Sequence, residues 1–409
     1  MKIIDDKIYN GSWKIVLRWI ALGPMALCGL AVNCGGRTPG NMDGGSADAA
    51  LDVPPVKGLA DGGWGDGEVP WLPYYPVQQV STLSVWSRPG AVYFSASYLV
   101  RNNALSGNPV GIFVNHGMGW SEFHNLGALG FDGGESPPIE MRGVPWTDTL
   151  WLAGRRNDSA VDPNEELGLF HADATAVTFA SDGAVAVEAI YVVDSETAYA
   201  TDGDLVVRFT GERWEPLPVR VPYPVKRLWA SRTALWGVGN SGNIVSYETD
   251  HWQSHASGTL LGLAGIWGFA DDDIWVTDII GNLLHYDGMD WSAVPWPESP
   301  GSDQAGTTAF FNGLWGAEGV LYLYGPGLLA RYNTKADTPA FELLADWHCS
   351  EPGLHCPVSL WIEDLWGNSP DEVFLAVAQY DVEQGGGGWY SVGGNAFLLY
   401  FDGEQFRWF

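Results

Sequence analysis

Basic residues are scarce in this sequence. Its 409 residues hold 20 Lys and Arg against 49 Asp and Glu, a net charge of −29. Phosphate contacts are made by Lys and Arg, so this balance argues against sequence-independent binding to nucleic acid, and docking on an anionic membrane surface is disfavoured for the same reason. Cysteine is scarce too: there are 4, and two of them, Cys28 and Cys34, fall near the start. The apolar run from Trp19 to Val32 is too short to span a bilayer comfortably. Several catalytic signatures are missing: the sequence has no Gly-x-Ser-x-Gly elbow, His-Glu-x-x-His helix, Gly-x-Gly-x-x-Gly turn or phosphate loop.

Tryptophan and glycine are plentiful. Trp 22 and Gly 53 are about 5% and 13% of the chain, against typical usage near 1% and 7%. That mix suits many short strands joined by tight turns and argues against helices. A chain of this length exceeds one ordinary domain of roughly 150 residues, yet single all-β rings do reach it.

Lys2, Lys7, Lys14 and Arg18 precede the run that ends at Val32, the order of a secretory signal. The stretch Leu30-Ala31-Val32-Asn33-Cys34 resembles the lipobox of bacterial lipoproteins. This implies a signal peptide over 1–33, lipidation of Cys34, and an exported protein held in a Gram-negative envelope by that anchor alone. Residues 34–68 have little apolar periodicity and only Trp64 as an aromatic, the composition of a disordered tether.

From Val69 onward one unit recurs. Gly265-Ile-Trp-Gly-Phe-Ala-Asp-Asp-Asp-Ile-Trp-Val-Thr-Asp278, continued by Gly281-Asn-Leu-Leu-His-Tyr-Asp-Gly-Met-Asp-Trp291, reads as four short strands and three turns. The first strand reappears around Trp86, Ile190, Trp229, Trp315 and Trp366, with a weaker copy near Gly143. Spacings of 38, 48 and 51 residues between Trp229, Trp267, Trp315 and Trp366 match one propeller blade. Seven copies predict an all-β, seven-bladed β-propeller of four-stranded antiparallel blades over 69–409. Two β-sandwiches, the rival architecture, would not carry one period through the domain. In the ring, Trp86, Trp229, Trp267, Trp275, Trp315 and Trp366 are core residues, and Asp287-Gly288 and Asp402-Gly403 are hairpin turns.

The repeat is similar to those of bacterial exported β-propellers, related loosely to kelch and photosystem-assembly-factor-like propellers, over roughly 80–409. Sialidase-type Asp boxes and the Gly-His and Trp-Asp signature of WD40 repeats are absent. The resemblance implies ligand or partner binding as often as catalysis.

Strand order places the first and third turns of each blade on one face, where they are short. The long connections, 98–111, 154–168 and 378–395 within blades and 125–143, 295–313 and 344–364 between them, share the other face, mostly in blades 6, 7, 1 and 2. Binding residues concentrate on such loops. Trp389 and Tyr390, in the glycine-rich run 384–394, offer a stacking platform or a plug for their own loop, and Tyr380 lies in the same connection. Arg155, Arg156 and Asp158, with Asp162, Glu165 and Glu166, suit a charged partner, Ca²⁺ or simple solvation, without EF-hand spacing. Cys349 and Cys356 lie beside His348 and His355. In an oxidising compartment a disulfide is expected there rather than zinc. His251 and His255 sit too far apart on a strand for one ion, and His285 is expected to be structural.

These residues predict a non-catalytic envelope lipoprotein that binds a protein or glycan through its long-loop face, with no cofactor. A polysaccharide-active hydrolase or lyase and a structural envelope component are the alternatives. The enzyme would need acidic, His or Tyr groups converging at the axial mouth. Oligomeric state is left open.

Overall fold

The computed structural model describes residues 77–100, 110–117, 119–126, 140–155, 167–180, 187–295, 311–346, 358–385 and 388–408, all within the unit Pro54–Phe409. They form seven sheets of four antiparallel strands, each sheet a simple meander.

Blade 1 holds β1 (Val77–Arg88), β2 (Ala91–Val100), β3 (Val110–Asn115) and β4 (Trp120–Asn125). Blade 2 holds β5 (Glu140–Gly143), β6 (Leu150–Arg155), β7 (Leu167–Ala172) and β8 (Val177–Phe179). In blade 3 are β9 (Ala189–Val192), β10 (Ala198–Thr201), β11 (Val206–Phe209) and β12 (Trp214–Pro216). Blade 4 follows with β13 (Arg227–Ala230), β14 (Leu235–Val238), β15 (Asn243–Glu248) and β16 (His251–Ala256). Blade 5 has β17 (Leu263–Ala270), β18 (Asp273–Asp278), β19 (Leu283–Tyr286) and β20 (Trp291–Val294). Blade 6 has β21 (Gly313–Ala317), β22 (Val320–Gly325), β23 (Leu328–Asn333) and β24 (Phe341–Asp346). Blade 7 closes the series with β25 (Val358–Ser369), β26 (Glu372–Gly385), β27 (Gly388–Phe401) and β28 (Phe406–Trp408).

Alternation puts one face of every strand against each neighbouring blade, and seven apolar clusters result, one per interface. Trp86, Tyr93 and Ile112 of blade 1 meet Met141, Leu150 and Phe170 of blade 2. The cluster that closes the ring sets Val85, Val92, Phe94 and Phe113 against Phe374, Ala376 and Leu398 of blade 7. Blade 7 is built from consecutive chain, so side chains rather than an exchanged strand join the last blade to the first.

Register identifies equivalent positions. Trp267 pairs with Trp275, Trp229 with Trp236, Trp315 with Tyr322, Trp366 with Phe374 and Trp86 with Tyr93. In blade 3 the equivalent pair is Tyr191 and Tyr199, so Tyr191, not the Ile190 expected from the sequence, takes the tryptophan position. In blade 2 it is Arg142 that pairs with Trp151. Trp86, Trp229, Trp275 and Trp315 are buried, as expected of core. Asp287-Gly288 and Asp402-Gly403 are turns, with both glycines at φ near +90°.

The connection 378–395 is not a loop. β26 and β27 continue as a hairpin, pairing Tyr380 with Gly394, Glu383 with Tyr390 and Gln384 with Trp389. Glycines mark turns as readily as loops, and the alternation of Tyr380, Val382 and Gln384 sustains a strand. The stretches read as 98–111 and 154–168 are likewise shortened by β2, β3, β6 and β7.

Candidate functional site: the axial recess

Residues at the tryptophan position meet across the ring. Trp267 of blade 5 packs on Trp366 of blade 7 with ring centroids 5.8 Å apart, and Tyr191 of blade 3 lies 6.4 Å from Trp267. Non-adjacent blades touch this way only near the axis, so the layer closes it. Arg142 joins the layer as its one cation, its guanidinium 5.1 Å from the Trp366 ring centroid.

Two residues earlier in each inner strand lies a second ring: Ser84, Glu140, Ala189, Arg227, Gly265, Gly313 and Asp364. It stands nearer the face where the inner strands start. Four small residues leave room between three charged ones. Across the strand pair from Gly313 is Tyr324, and a Cβ on Gly313 would meet the Tyr324 hydroxyl oxygen at 2.3 Å. Glycine is needed there so that the phenol can lie over it toward the axis. The equivalent second-strand positions hold Ser95, Ala153, Thr201, Val238, Thr277 and Ala376, all smaller.

Asp364 is saturated. Its carboxylate accepts from Ser84 Oγ at 2.6 Å, Val85 N at 3.0 Å, Leu365 N at 3.0 Å, and Arg142 Nη1 and Nη2 at 2.9 and 3.2 Å. With 7% of its side chain exposed, it clasps blades 7, 1 and 2 together. Burial pulls the Arg142 pKa down, and Asp364 and Glu140 more than reverse this, so the guanidinium stays charged.

Glu140 is less well served. It lies 3.3 Å from Arg142 Nη2 and accepts from Ile190 N at 3.2 Å. A quarter of its side chain stays accessible. Burial nevertheless raises its pKa above the ordinary carboxylate value, and Arg142 and Arg227 offset this only in part. Arg227 is exposed at the start of β13, where its Nη1 donates to the Lys226 carbonyl. Tyr324 is 8% exposed and Tyr191 half-buried. Burial raises both phenol pKa values.

Chemically, this recess provides one free guanidinium, one desolvated carboxylate and two phenols above an aromatic floor. It holds the convergent groups that a glycosidase would require, but Asp364 is locked in five hydrogen bonds and unsuited to act as base or nucleophile. Sequence reasoning missed Glu140, Arg142, Arg227 and Asp364. The substitution of Arg142 for tryptophan beside Gly143 was the one available signal.

Those residues expected from the sequence that the structure describes lie outside these two rings. Trp389, Tyr390 and Tyr380 are in the blade 7 hairpin, and Arg155 ends β6, paired with Leu167. Arg156, Asp158, Cys34, Cys349 and Cys356 lie outside the described residues. His285 is structural: its Nε2 is 2.8 Å from Asp273 Oδ1, and its ring stacks on Trp275 at 4.0 Å. Among the described residues no group of three or more His, Cys, Asp or Glu could hold a metal ion.

No family model matches the chain, and no curated protein matches it. Among solved structures it is similar to the extracellular domain of a putative hybrid two component system of B. thetaiotaomicron, with TM-score 0.50 and 10% identity, over 80% of this chain and 40% of that one. It is also similar to YCF48 from Cyanidioschyzon merolae, with TM-score 0.49 and 10% identity, over 80% and 96%. The extracellular domain of a putative one component system of B. thetaiotaomicron gives TM-score 0.45 and 13% identity, over 68% and 38%. The chain therefore spans less than half of each B. thetaiotaomicron domain. At such identities the likeness shows the propeller fold alone.

Proposed function

We propose that this protein is an exported, non-catalytic binding module of the cell envelope, anchored through a lipidated Cys34 and taking a protein or glycan on the face where its inner strands start. The observation that carries this reading is the blade 7 arm. β26 and β27 run 14 residues each, against 6 in β22 and β23 of blade 6. At about 3.3 Å per residue the excess is roughly 25 Å of paired strand standing off that face. β1 is lengthened at the same end and packs against β25, β26 and β27, so blades 7 and 1 raise one wall. A hydrogen-bonded hairpin of this kind presents side chains to a partner at lower ordering cost than an unpaired loop. Tyr380, Trp389 and Tyr390 on the arm, with Arg155, Arg156 and Asp158 of blade 2, are the proposed contacts, and a Cys349–Cys356 disulfide would brace the connection into blade 7.

The test compares the full chain with its Trp389→Ala/Tyr390→Ala variant in binding to immobilised envelope glycans and to purified envelope proteins. Capture by the parent, reduced at least tenfold in the variant, supports the reading. Equal capture by both removes the arm from it.

A further inference from the structure

A second site lies at the axis, apart from the arm, and does not depend on the arm binding anything. Its groups are in an unusual state of satisfaction. The Tyr324 phenol is more than nine-tenths buried, lies across Gly313 into the recess, and makes no hydrogen bond among the described residues. Tyr191, whose ring joins the aromatic floor, makes none with its hydroxyl either. Neither hydroxyl is sealed off, so each is open to a polar atom of a ligand entering the recess.

The charges are as uneven. Arg142 and Asp364 consume each other. Arg227 keeps most of its five donors, with one hydrogen bond to a backbone carbonyl. Glu140 shares its only ion-pair partner with Asp364 and pays for its burial in a raised pKa. Neither group is explained by stability: an exposed arginine contributes little, and an under-compensated carboxylate destabilises. Groups that weaken a fold without stabilising it elsewhere are characteristic of binding sites.

We infer that the axial recess binds a small zwitterion of the α-amino-acid class, its ammonium on the Glu140 carboxylate, its carboxylate on the Arg227 guanidinium, and its acceptor atoms on the Tyr324 and Tyr191 hydroxyls. A ligand with both charges meets Arg227, which has no carboxylate partner among the described residues, and Glu140, whose one cation is shared with Asp364. A simple carboxylate leaves Glu140 with only the Arg142 guanidinium that it shares with Asp364, and a simple amine leaves Arg227 unmatched. A neutral sugar would satisfy the phenols but neither charge. Glu140 reaches the ligand from blade 2, Tyr191 from blade 3, Arg227 from blade 4 and Tyr324 from blade 6, so the ligand also bridges four blades.

The test is calorimetric titration of the purified full chain with the common α-amino acids, and with acetate, ethylamine and glucose as single-feature probes. Expected is saturable binding of one or more amino acids, at least tenfold tighter than any single-feature probe, since each charge-assisted contact is worth about tenfold or more. Arg227→Met and Glu140→Gln each weaken it at least tenfold, and Tyr324→Phe weakens it severalfold. Each variant is first shown to keep the parent's far-ultraviolet dichroism and cooperative unfolding. No binding of any amino acid by the folded parent overturns the inference, as does binding that survives Arg227→Met or Glu140→Gln unchanged. Tighter binding of acetate or glucose than of every amino acid overturns the ligand class. Arm variants keep amino-acid binding, so failure of the arm reading and failure of this one are separable.

Discussion

Replacing Asp364 with Ala is expected to open the ring where it is closed. No strand is exchanged between blades 7 and 1, so the join rests on the apolar cluster around Phe94 and Phe374 and on the Asp364 carboxylate. Removing that carboxylate takes the acceptor from the Val85 and Leu365 amides, leaves Ser84 Oγ only the 3.3 Å contact with the Met141 carbonyl to donate to, and leaves Arg142, 13% exposed, with Glu140 at 3.3 Å as its one remaining anion. Breaking one side of a buried ion pair costs about 3–5 kcal/mol, because the surviving charge has nowhere to go. Asp364→Asn keeps an acceptor for Ser84 and Val85 and should lose less. Arg142→Met/Asp364→Leu removes both charges and should lose clearly less than the sum of the two single losses, without regaining the parent's stability, because the Val85 and Leu365 amides lose their acceptor and Glu140 loses its cation. Urea unfolding followed by tryptophan fluorescence measures these proteins together with the Arg142→Met and Asp364→Leu single variants. A loss below about 1 kcal/mol in Asp364→Ala would refute the clasp, and so would a double variant whose loss equals the sum of the two single losses.

Gly143→Ala should destabilise by about 1–3 kcal/mol, since the new Cβ would sit 2.3 Å from three ring atoms of Trp86, which is 2% exposed and has no room to withdraw. An unchanged thermal midpoint would contradict this. Glu140→Gln should raise stability at neutral pH: the folded pKa of Glu140 lies above the unfolded one, so stability it contributes is present below the ordinary value of 4.5 and lost as pH rises through the folded value. The gap between variant and parent midpoints should therefore widen from acid to neutral pH, and a gap that narrows would reverse the assigned sign.

Much of the architecture was legible because a propeller writes its period into the chain. Trp229, Trp267, Trp315 and Trp366 recur at blade spacing, and short turns such as Asp287-Gly288 and Asp402-Gly403 separate the strands. Blade 3 was read one residue out of register, since Ile190 and Tyr191 are both strand-forming and only pairing with Tyr199 distinguishes them. Run 378–395 was read as a loop because glycine serves hairpin turns and loops alike; the β26 and β27 pairing settled it.

The sequence by itself determined seven four-stranded units and the tryptophans that pack them. The axial site was decided only by the tertiary structure. Glu140, Arg227, Tyr324 and Asp364 belong to four blades and have no local pattern relating them. Glu140, Arg227 and Asp364 converge because each inner strand presents the same position to one axis, and Tyr324 joins them from the second strand across Gly313, a consequence of ring closure rather than of any neighbouring residue. The importance of Gly313 is likewise invisible along the chain, since it lies in the space it leaves for Tyr324.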